Sequence, residues 1–549
     1  MKTFAIILAL LAFLSLPVYA DPVTAGALVT LLAPGSGALD ARPATATAPL
    51  GETVITWVTL TAASTELFVT FLDRSGATIS GPTAVGLGNL NPLTAVAAAT
   101  PTGFMVAFDA DTTATAGFRN VSFRTFNLTG GQTGSGQANV STALDDTAPK
   151  VAGNANGEYV VAWTRMSAFG ATPTAGIYMR RFTNTGTAID PNDVRCDDPS
   201  SLNFQRQGGT AVGMWPSGKV VVAWTDGQFG ATPGVNSPDG HGQGIVCRFF
   251  DNLILTPTTP VMIANSVTSD DQFEPIIAVD NRDRCLIGWC GDITPNRVDA
   301  WCRRFDDQGN ALDTSDLNLT PNNATTDTFL MSIAGTPSGE WVATWQDNSN
   351  TLNEPAPRCG WARMNQNRAV FDSGVTETGG LATESHAFPR AAMDYYGNMV
   401  IAWQVRSGTQ VGIRYRRYAR TMMAFTTTTP PVGGAITVSL DSPSDLNGAF
   451  FIGASAGVGP IPVDNRFIKL TQDALLNYVL YQNGWAGPIF INFAGFLNGS
   501  GQSSGVGVVI PNDPALANIQ INFAFLTDGG PPSASGVNTI SDTYSITIQ

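Results

Sequence analysis

A short apolar strand that ends in an aromatic residue recurs seven times along this chain. The copy Tyr159–Trp163 reads Y-V-V-A-W, and its apolar positions are consecutive, which is typical of a strand covered on both faces of its sheet. The aromatic residues lie 51 to 65 positions apart, at Trp57, Phe108, Trp163, Trp224, Trp289, Trp345 and Trp403. Repeats at this spacing indicate a solenoid, a propeller or an array.

The positions around each aromatic residue are also regular. A small residue always precedes it by eleven positions, as at Ala152 before Trp163, and five copies have glycine six positions before it, as at Gly157. This spacing predicts a strand, a tight turn and a second strand in each copy. The residue just before the ring is small in all seven, so each sheet presents a ring on one face and a hollow on the other.

Sheets of this kind can stack in a circle with each ring in the hollow of a neighbour. The seven copies therefore predict an all-β, seven-bladed β-propeller. Two stacked sandwiches or an open β-solenoid are the alternatives. A third strand is predicted after each aromatic residue, as in Ile177–Phe182. The sequence signal for a fourth, outer strand is weak.

Arginine recurs on the third strand. The positions are Arg124, Arg180, Arg248, Arg303 and Arg416. We expect these side chains to form a hydrated outer surface paired with nearby acids. An anion-binding ring is the alternative.

The two ends of the chain differ from the repeats. Residues 1–20 have the basic start, apolar run and small-residue ending of a secretory signal peptide, so we expect a secreted or cell-surface protein. The propeller is predicted over 21–425. Within it, the apolar segment Ala27–Leu32 is predicted to complete the seventh blade, whose last repeat lacks a fourth strand.

Beyond the repeats, the Thr-, Pro- and Gly-rich segment 426–434 is predicted to be a linker. Residues 435–549 contain seven short strand-like runs between Gly, Pro and Asn, with one helical stretch at Asp473–Tyr478. This pattern predicts a C-terminal β-sandwich.

Two resemblances to known proteins follow from these motifs. The set G-x-Y-V-V-A-W (Gly157–Trp163) and G-I-x-x-R-R-F (Gly176–Phe182) resembles the repeats of large secreted bacterial β-propeller proteins. The C-terminal region, through Ile510–Leu516 and Ile519–Phe525, is similar to the β-sandwich appended to exported planctomycete-type proteins. These resemblances imply a fold and carry no activity with them.

Charge and residue types narrow the partners. The net charge of −14 argues against nucleic acid and anionic membranes, and no segment after the signal peptide is long enough to span a bilayer. An even number of cysteines in an exported chain favours disulfides, and Cys290 and Cys302 could face each other across one hairpin. With only His241 and His386, and without a C-x-x-C pair, we expect no metal site and no cofactor.

The loops after the second strands of blades three and four share the sequence F-G-A-T-P, at 169–173 and 229–233. Variable loops on a rigid frame commonly bind ligands. We therefore expect an aromatic and acidic patch that binds a carbohydrate or a protein, formed by Phe169, Phe229, Asp226, Asp239 and His241. The alternative is that F-G-A-T-P is a loop-folding device with each Phe against its blade.

No residue is assigned a catalytic role. The leading hypothesis is a secreted, non-catalytic recognition or scaffolding protein that binds carbohydrate or protein through the loop-rich face. One alternative is a secreted polysaccharide-active enzyme that uses paired carboxylates on that face, with Asp197–Asp198, Asp270–Asp271 and Asp306–Asp307 as candidates by composition. Another is a structural component of an envelope or adhesin.

Overall fold

The structure is a computed structural model. It describes residues 23–549 except 35, 62–63, 113–117, 142–143, 167–175, 199–207, 228–237, 254, 295–296, 322–326, 349–357, 378–383, 465, 482–488, 504 and 529–534. The fold is all-β: a seven-bladed propeller followed by a β-sandwich. Among the described residues, no helix combines the length and the apolar character that crossing a membrane requires.

The first strand of the described residues is β1 (Val23–Leu32). The blades follow it, each a four-stranded antiparallel sheet ordered from the axis outward. Blade 1 contains β2 (Asp40–Thr47), β3 (Thr53–Leu60), β4 (Thr65–Leu72) and β5 (Thr78–Ala84). Blade 2 contains β6 (Leu90–Thr100), β7 (Gly103–Thr112), β8 (Arg119–Asn127) and β9 (Gln132–Gln137). Blade 3 contains β10 (Asp145–Gly153), β11 (Glu158–Met166), β12 (Gly176–Thr183) and β13 (Val194–Arg195).

The remaining blades follow the same order. Blade 4 contains β14 (Gly208–Met214), β15 (Val220–Gly227), β16 (Gln243–Phe250) and β17 (Met262–Ile263). Blade 5 contains β18 (Gln272–Val279), β19 (Arg284–Thr294), β20 (Arg297–Asp306) and β21 (Leu317–Asn318). Blade 6 contains β22 (Asp327–Gly335), β23 (Trp341–Asn348), β24 (Arg358–Met364) and β25 (Val370–Val375). Blade 7 contains β26 (Glu384–Met393), β27 (Met399–Ser407), β28 (Gln410–Arg420) and, as its outer strand, β1.

The repeated aromatic side chain of each blade packs against the neighbouring blade as the repeat predicts, with one exception. Trp163 of blade 3 is fully buried with Ala107 of blade 2 in one apolar cluster. Trp224 of blade 4 and Ala162 of blade 3 share another. Because an aromatic side chain removes a large apolar area from water, these contacts hold adjacent sheets together.

The exception is Trp345 of blade 6, which is partly exposed. A Cβ atom on Gly360 of the next strand would clash with the Trp345 indole nitrogen, so this ring lies over its own sheet. The hollow at Gly288 in blade 5 is filled instead by Leu330 and Ile333, whose methyl carbons lie within 2.7 Å of the position of an added Cβ. The prediction that all seven rings nest in a neighbour is therefore wrong at blade 6.

The N-terminal strand closes the circle. β1 pairs antiparallel with β28, from Val23 opposite Arg420 to Leu32 opposite Ile413, which confirms that it completes blade 7. On the inner side of the same junction, Trp57 of blade 1 packs with Ala402 of blade 7. The two ends of the ring are thus joined by backbone pairing and by an apolar contact.

Deletion of residues 21–34 is expected to lower the melting temperature by about 5 °C. The deletion removes the partly buried side chains Val29, Leu31 and Leu32 from their cluster, a loss of about 1 kcal/mol or more each. It also leaves the edge of β28 unpaired. Differential scanning calorimetry against a chain that begins at Asp21 measures the difference, and an unchanged melting temperature would contradict closure by β1.

The glycine turns between first and second strands are formed as predicted. In blade 3, the Asn154 side chain accepts hydrogen bonds from the backbone N–H groups of Asn156 (3.0 Å) and Glu158 (2.9 Å). Gly157 between them has φ +85°, a conformation that costs glycine least. Side chain and glycine together fix the turn.

The third-strand arginines connect blades. Arg180 donates through Nη1 to the Ala138 carbonyl after the outer strand of blade 2 (3.2 Å), and Arg248 does the same to the Cys196 carbonyl of blade 3 (3.1 Å). Their guanidinium groups lie 5.5 Å and 6.0 Å from the rings of Phe182 and Phe250. The expectation of a hydrated surface paired with acids is wrong at these two positions, because each guanidinium donates to a carbonyl oxygen of the preceding blade.

The six cysteines are buried free thiols. Cys290 lies opposite Ala300, and Cys302 lies opposite Gly288, so the two predicted partners are offset by two residues across the hairpin. The predicted Cys290–Cys302 disulfide is therefore not formed.

The C-terminal sandwich has two sheets. One contains β29 (Met423–Phe425), β30 (Ala435–Leu440), β36 (Val506–Val509) and β34 (Phe490–Ile491). The other contains β35 (Ala494–Phe496), β31 (Ala449–Ser455), β37 (Gln520–Asp528), β38 (Val537–Ile540) and β39 (Tyr544–Thr547). A hairpin of β32 (Pro460–Val463) and β33 (Arg466–Lys469), the helix α1 (Ala474–Tyr481) and a 3-10 turn (Pro514–Leu516) complete it.

The predicted linker is hydrogen-bonded to the sandwich. The N–H of Thr426 donates to the Thr437 carbonyl (3.1 Å), and the N–H of Val432 donates to the Gln549 carbonyl (2.9 Å). β29, which precedes the predicted boundary at 425, already pairs with β30.

The sandwich packs against the propeller on the face of the first-to-second strand turns. Tyr396, in the turn of blade 7, is buried with Leu470 and donates from its hydroxyl to the Phe467 carbonyl (3.0 Å). Ser444 donates to the carboxylate of Glu340, in the turn of blade 6 (2.7 Å). The opposite, loop-rich face carries the mouth of the channel.

Candidate functional site

The inner strands bulge where they reach the loop-rich face. In blades 3, 5 and 7, Ala148, Glu274 and Phe388 have φ of +52°, +55° and +52°, and each stands directly before a proline. The pairing with the second strand slips by one residue at each of these points. Left-handed backbone at non-glycine residues is costly, and bulges often occur next to functional sites because they redirect side chains.

The preceding blade holds each bulge in place. The N–H of Glu274 donates to the hydroxyl of Thr225 (3.0 Å), which follows the ring of blade 4. The N–H of Phe388 donates to the side-chain carbonyl of Gln346 (3.1 Å), which follows the ring of blade 6. In both cases, the residue that follows the repeated aromatic residue of one blade holds the bulged backbone of the next blade, which faces the channel.

The bulges surround a cavity of about 520 Å³, here called the mouth cavity. Its charged lining residues are Asp40, Arg42, Lys150, Glu274 and Arg390. Apolar side chains complete its wall, including Leu93, Ile276 and Met331. A narrower cavity of about 160 Å³ continues along the axis and is lined by residues of all seven inner strands. Pockets of the size of the mouth cavity bind small molecules or a few units of a polymer.

Lys150 has an unusual environment for a lysine. Burial in the channel lowers the pKa of its amine to about 8, and the positive charge of Arg390 acts in the same direction, against the attraction of Glu274 and Asp109. Among the described residues, no hydrogen-bond or ion-pair partner lies within reach of its amine, whereas Lys469 pairs with Asp542 (2.9 Å).

The two arginines of the mouth cavity differ in burial and in their contacts. Arg390 is partly buried and donates to the Met331 carbonyl. Burial lowers the pKa of its guanidinium to about 10, and Arg42 adds to the lowering. Arg42 is exposed at the rim, where it lies 4.5 Å from the centre of the Phe388 ring and 3.3 Å from the Asp40 carboxylate. Both are planar donors suited to a carboxylate or sulfate group.

The residues predicted to bind a ligand are placed elsewhere. Asp226, at the end of β15, is only 4% exposed, and its carboxylate accepts from the Gly227 N–H (2.9 Å) and the Trp224 indole N–H (3.4 Å). Asp239 accepts from the His241 N–H (3.2 Å) and from the Asn265 side chain (2.7 Å). Phe169 and Phe229 lie outside the described residues. None of the three described residues lines the mouth cavity.

Acidic residues gather near Asp239 at the edge of blade 5. Asp271 accepts from the Gln243 N–H (2.7 Å), and the Asp292 N–H donates to the Asp271 carbonyl (2.9 Å). Burial raises the pKa of Asp292 to about 6, and the charges of Asp271 and Asp270 contribute. Of the composition-based acidic pairs, Asp270–Asp271 therefore lies beside a further carboxylate, that of Asp292.

The residues of the mouth cavity were missed by the sequence analysis, although a signal for them exists. Proline stands fourteen positions before the ring in four repeats, at Pro43, Pro149, Pro275 and Pro389. Proline inside a strand marks a bulge or an edge. Lys150 and Arg390 each follow such a proline directly. Following the repeat to fourteen positions before the aromatic residue, instead of eleven, would have brought Lys150 and Arg390 to notice.

Comparisons with known proteins give similar solved structures and no family. No protein-family model and no curated protein matches the sequence. Among solved structures, a polysaccharide lyase, PL25 ulvan lyase, bound to a sulfated glucuronate–rhamnose unit, is similar with a TM-score of 0.48 and 8% identity, covering 70% of this chain and 95% of that one. A family-43 endo-arabinanase from Bacillus licheniformis gives 0.30 and 12%, covering 49% and 93%.

An α-L-arabinofuranosidase from Fusarium graminearum gives a TM-score of 0.36 and 9% identity, covering 72% of this chain and 98% of that one. These similar structures are propeller-type, glycan-active enzymes. The prediction of a non-catalytic recognition or scaffolding protein is corrected on this finding. At such identities the likeness itself concerns the fold, and the specific repeat type stays a prediction. Secretion and the domain limits also stay predictions.

Proposed function

We propose that this protein is a carbohydrate-active enzyme that cleaves an anionic polysaccharide in the mouth cavity. The observation that carries the proposal is the lining of that cavity: Lys150, Arg42 and Arg390 converge there, in a chain whose net charge is −14. The surrounding apolar wall and the open channel suit a sugar chain that presents carboxylate groups. Extracellular or cell-surface action on such a polymer accords with the predicted signal peptide.

The recognition step falls to the arginines. A uronate carboxylate can accept two parallel hydrogen bonds from a guanidinium group, and Arg390, held by the Met331 carbonyl, is pre-oriented to donate them. Arg42 at the rim can receive a second acidic group of the same chain. A guanidinium group bound to the carboxylate stabilises the negative charge that develops when C5, the carbon next to the carboxylate, loses its proton. The C5–H group therefore becomes more acidic.

The chemical step that suits this site is β-elimination. The neutral amine of Lys150 takes the proton from C5 of the uronate, the electron pair forms a C4–C5 double bond, and the C4–O bond breaks. The ammonium group so formed returns the proton to the departing oxygen, so atoms and charges balance. A base works best when its pKa lies near the working pH, and the lowered pKa of Lys150 supports this role.

Hydrolysis by paired carboxylates receives less support from the mouth cavity. Its two acidic lining residues are Asp40 and Glu274. The Asp40 carboxylate is engaged by Arg42 (3.3 Å) and by the Gln404 amide (2.9 Å), so it is not free to act as a nucleophile or base. Glu274 alone does not make the pair that hydrolysis requires.

A panel of polysaccharides tests the proposal. Uronate-rich polymers and neutral polymers of similar length are incubated with the protein at pH 8.5. We expect new reducing ends with the uronate-rich polymers only, together with the ultraviolet absorbance of an unsaturated uronate. Reducing ends without that absorbance would replace elimination by hydrolysis, and the absence of cleavage throughout the panel would contradict an enzyme of this class.

A further inference from the structure

We propose that Glu377, Glu384 and His386 form a binding site for a transition-metal dication such as Zn²⁺, at the junction of blades 6 and 7. This site is separate from the mouth cavity, and the inference does not depend on the proposed reaction. Glu377 follows β25, the outer strand of blade 6, whereas Glu384 and His386 stand in β26, the inner strand of blade 7.

The three side chains already converge. One ligand atom from each lies within 4.8 Å of the others, and the Glu377 carboxylate is 3.6 Å from Nε2 of His386. Glu384 and His386 are two residues apart on a strand, so both side chains leave the same face of the sheet. Zinc binds imidazole nitrogen and carboxylate oxygen at about 2.0–2.2 Å, which sets neighbouring ligand atoms roughly 3–3.5 Å apart. Small rotations of the two glutamates suffice to reach that geometry.

The imidazole supplies the second, independent observation. His386 is only 6% exposed, and its Nε2 has no hydrogen-bond partner. A buried polar atom left without a partner destabilises the folded chain, whichever ring nitrogen carries the proton. This nitrogen is directed at the Glu377 carboxylate at a distance too long for a hydrogen bond. A metal ion between them would satisfy both groups.

Arg414 now holds the two carboxylates together. Its Nη1 lies 3.1 Å from Glu377 and 2.9 Å from Glu384. One guanidinium against two carboxylates leaves a net charge of −1, which a dication reverses. Arg414 therefore competes with the metal for the same two carboxylates, and removing it should strengthen metal binding.

The donor set selects the class of ion. Calcium and magnesium prefer oxygen ligands alone, whereas zinc and its neighbours in the first transition row accept imidazole nitrogen together with carboxylates. A site of one nitrogen and two oxygen ligands also leaves positions for water. Because its ligands come from two blades, a bound ion would cross-link the place where the ring closes.

Calorimetric titration of Zn²⁺ into the chelator-treated full chain tests the inference. We expect one equivalent of Zn²⁺ to bind and the melting temperature to rise with it. His386→Gln and Glu384→Gln should each lower the affinity by at least tenfold and abolish the rise in melting temperature. Arg414→Met should increase the affinity about tenfold, which a purely structural ion-pair role would not do.

The chain offers a matched control, because it contains only two histidines. His241→Gln should leave binding unchanged. Equal loss in both histidine variants, or stoichiometric binding that survives in His386→Gln, would overturn the assignment, as would the absence of Zn²⁺ binding. Circular dichroism at the titration temperature confirms that each variant is folded, and binding of Ca²⁺ in place of Zn²⁺ would also contradict the nitrogen ligand.

Discussion

Lys150→Met is expected to lower the rate of polysaccharide cleavage by about 10²- to 10⁴-fold, the usual contribution of a general base. The substitution removes the amine and keeps most of the apolar length of the side chain. Substrate binding should weaken less than turnover falls, because Arg42 and Arg390 remain in the mouth cavity. Initial rates with a uronate-rich polymer, measured over a range of substrate concentrations, separate kcat from KM.

The pH dependence gives the same prediction an independent readout. Only the neutral amine can accept a proton, and its pKa is lowered to about 8. The value of kcat/KM should therefore rise tenfold per pH unit below pH 8 and level off above it. A rate that falls with rising pH between 6 and 9 would contradict Lys150 as the base.

The control for this variant is Lys219→Met, which makes the same change at a lysine that pairs with Asp307 outside the mouth cavity. It should keep its activity. Loss of stability cannot account for the expected effect at Lys150, because a lysine whose pKa is lowered on folding destabilises the folded chain. This penalty is full below the folded pKa of about 8 and disappears only as the pH rises to the ordinary pKa of lysine. We expect Lys150→Met to melt at the same temperature as the parent chain or higher.

Trp163→Ala is expected to lower the free energy of unfolding by about 3–5 kcal/mol. The indole is fully buried against Ala107 of the neighbouring blade and stacks on Tyr178 of its own blade, with ring centres 6.4 Å apart. Removing it leaves a cavity between two rigid sheets that can collapse only in part. Chemical denaturation followed by circular dichroism measures the loss.

Trp345→Ala is the matched control for that experiment. Trp345 occupies the same position in the repeat, but it is partly exposed and lies over Gly360 on its own sheet. Its removal should cost less than about 2 kcal/mol, because truncating a side chain that is already partly in water removes less buried apolar area. Equal losses at the two positions would contradict the difference in packing between blade 6 and the other blades.

The propeller could be predicted because each repeat has a large aromatic residue and a small residue at fixed positions. A ring at Trp163 and a small residue at Ala107 specify a contact between blades without knowledge of either sheet's position. Trp345 could not be assigned in this way. Its own repeat satisfies the pattern, and the outcome depends on Gly360 and on the competition from Leu330 and Ile333 for the hollow at Gly288.

The sandwich shows a similar limit. The apolar run 489–496 predicts one strand, but the chain turns at Asn492, with φ +54°, and the run divides into β34 and β35 in opposite sheets. Periodicity does not reveal this break, because apolar residues continue through it. By contrast, the apolar runs 435–440 and 449–454 each form a single strand, β30 and β31.

The candidate site was harder to predict than the fold. Loop length and acidic residues directed attention to Asp226 and Asp239, whose carboxylates are used to hold backbone and amide groups. Lys150 and Arg390 lie in strands, and a backbone bulge turns them into the channel. The bulge depends on a side chain of the preceding blade, a relation between distant residues that one repeat does not reveal.

The closure of blade 7 by β1 has a consequence for biosynthesis. Among the strands of the propeller, β1 is translated before all the others, and its partner β28 is translated last. Until then β1 has no edge to join, and the cost of closing so long a loop delays the pairing. The nascent propeller must therefore remain an open arc, with its first strand unpaired, until the ribosome has passed Arg420.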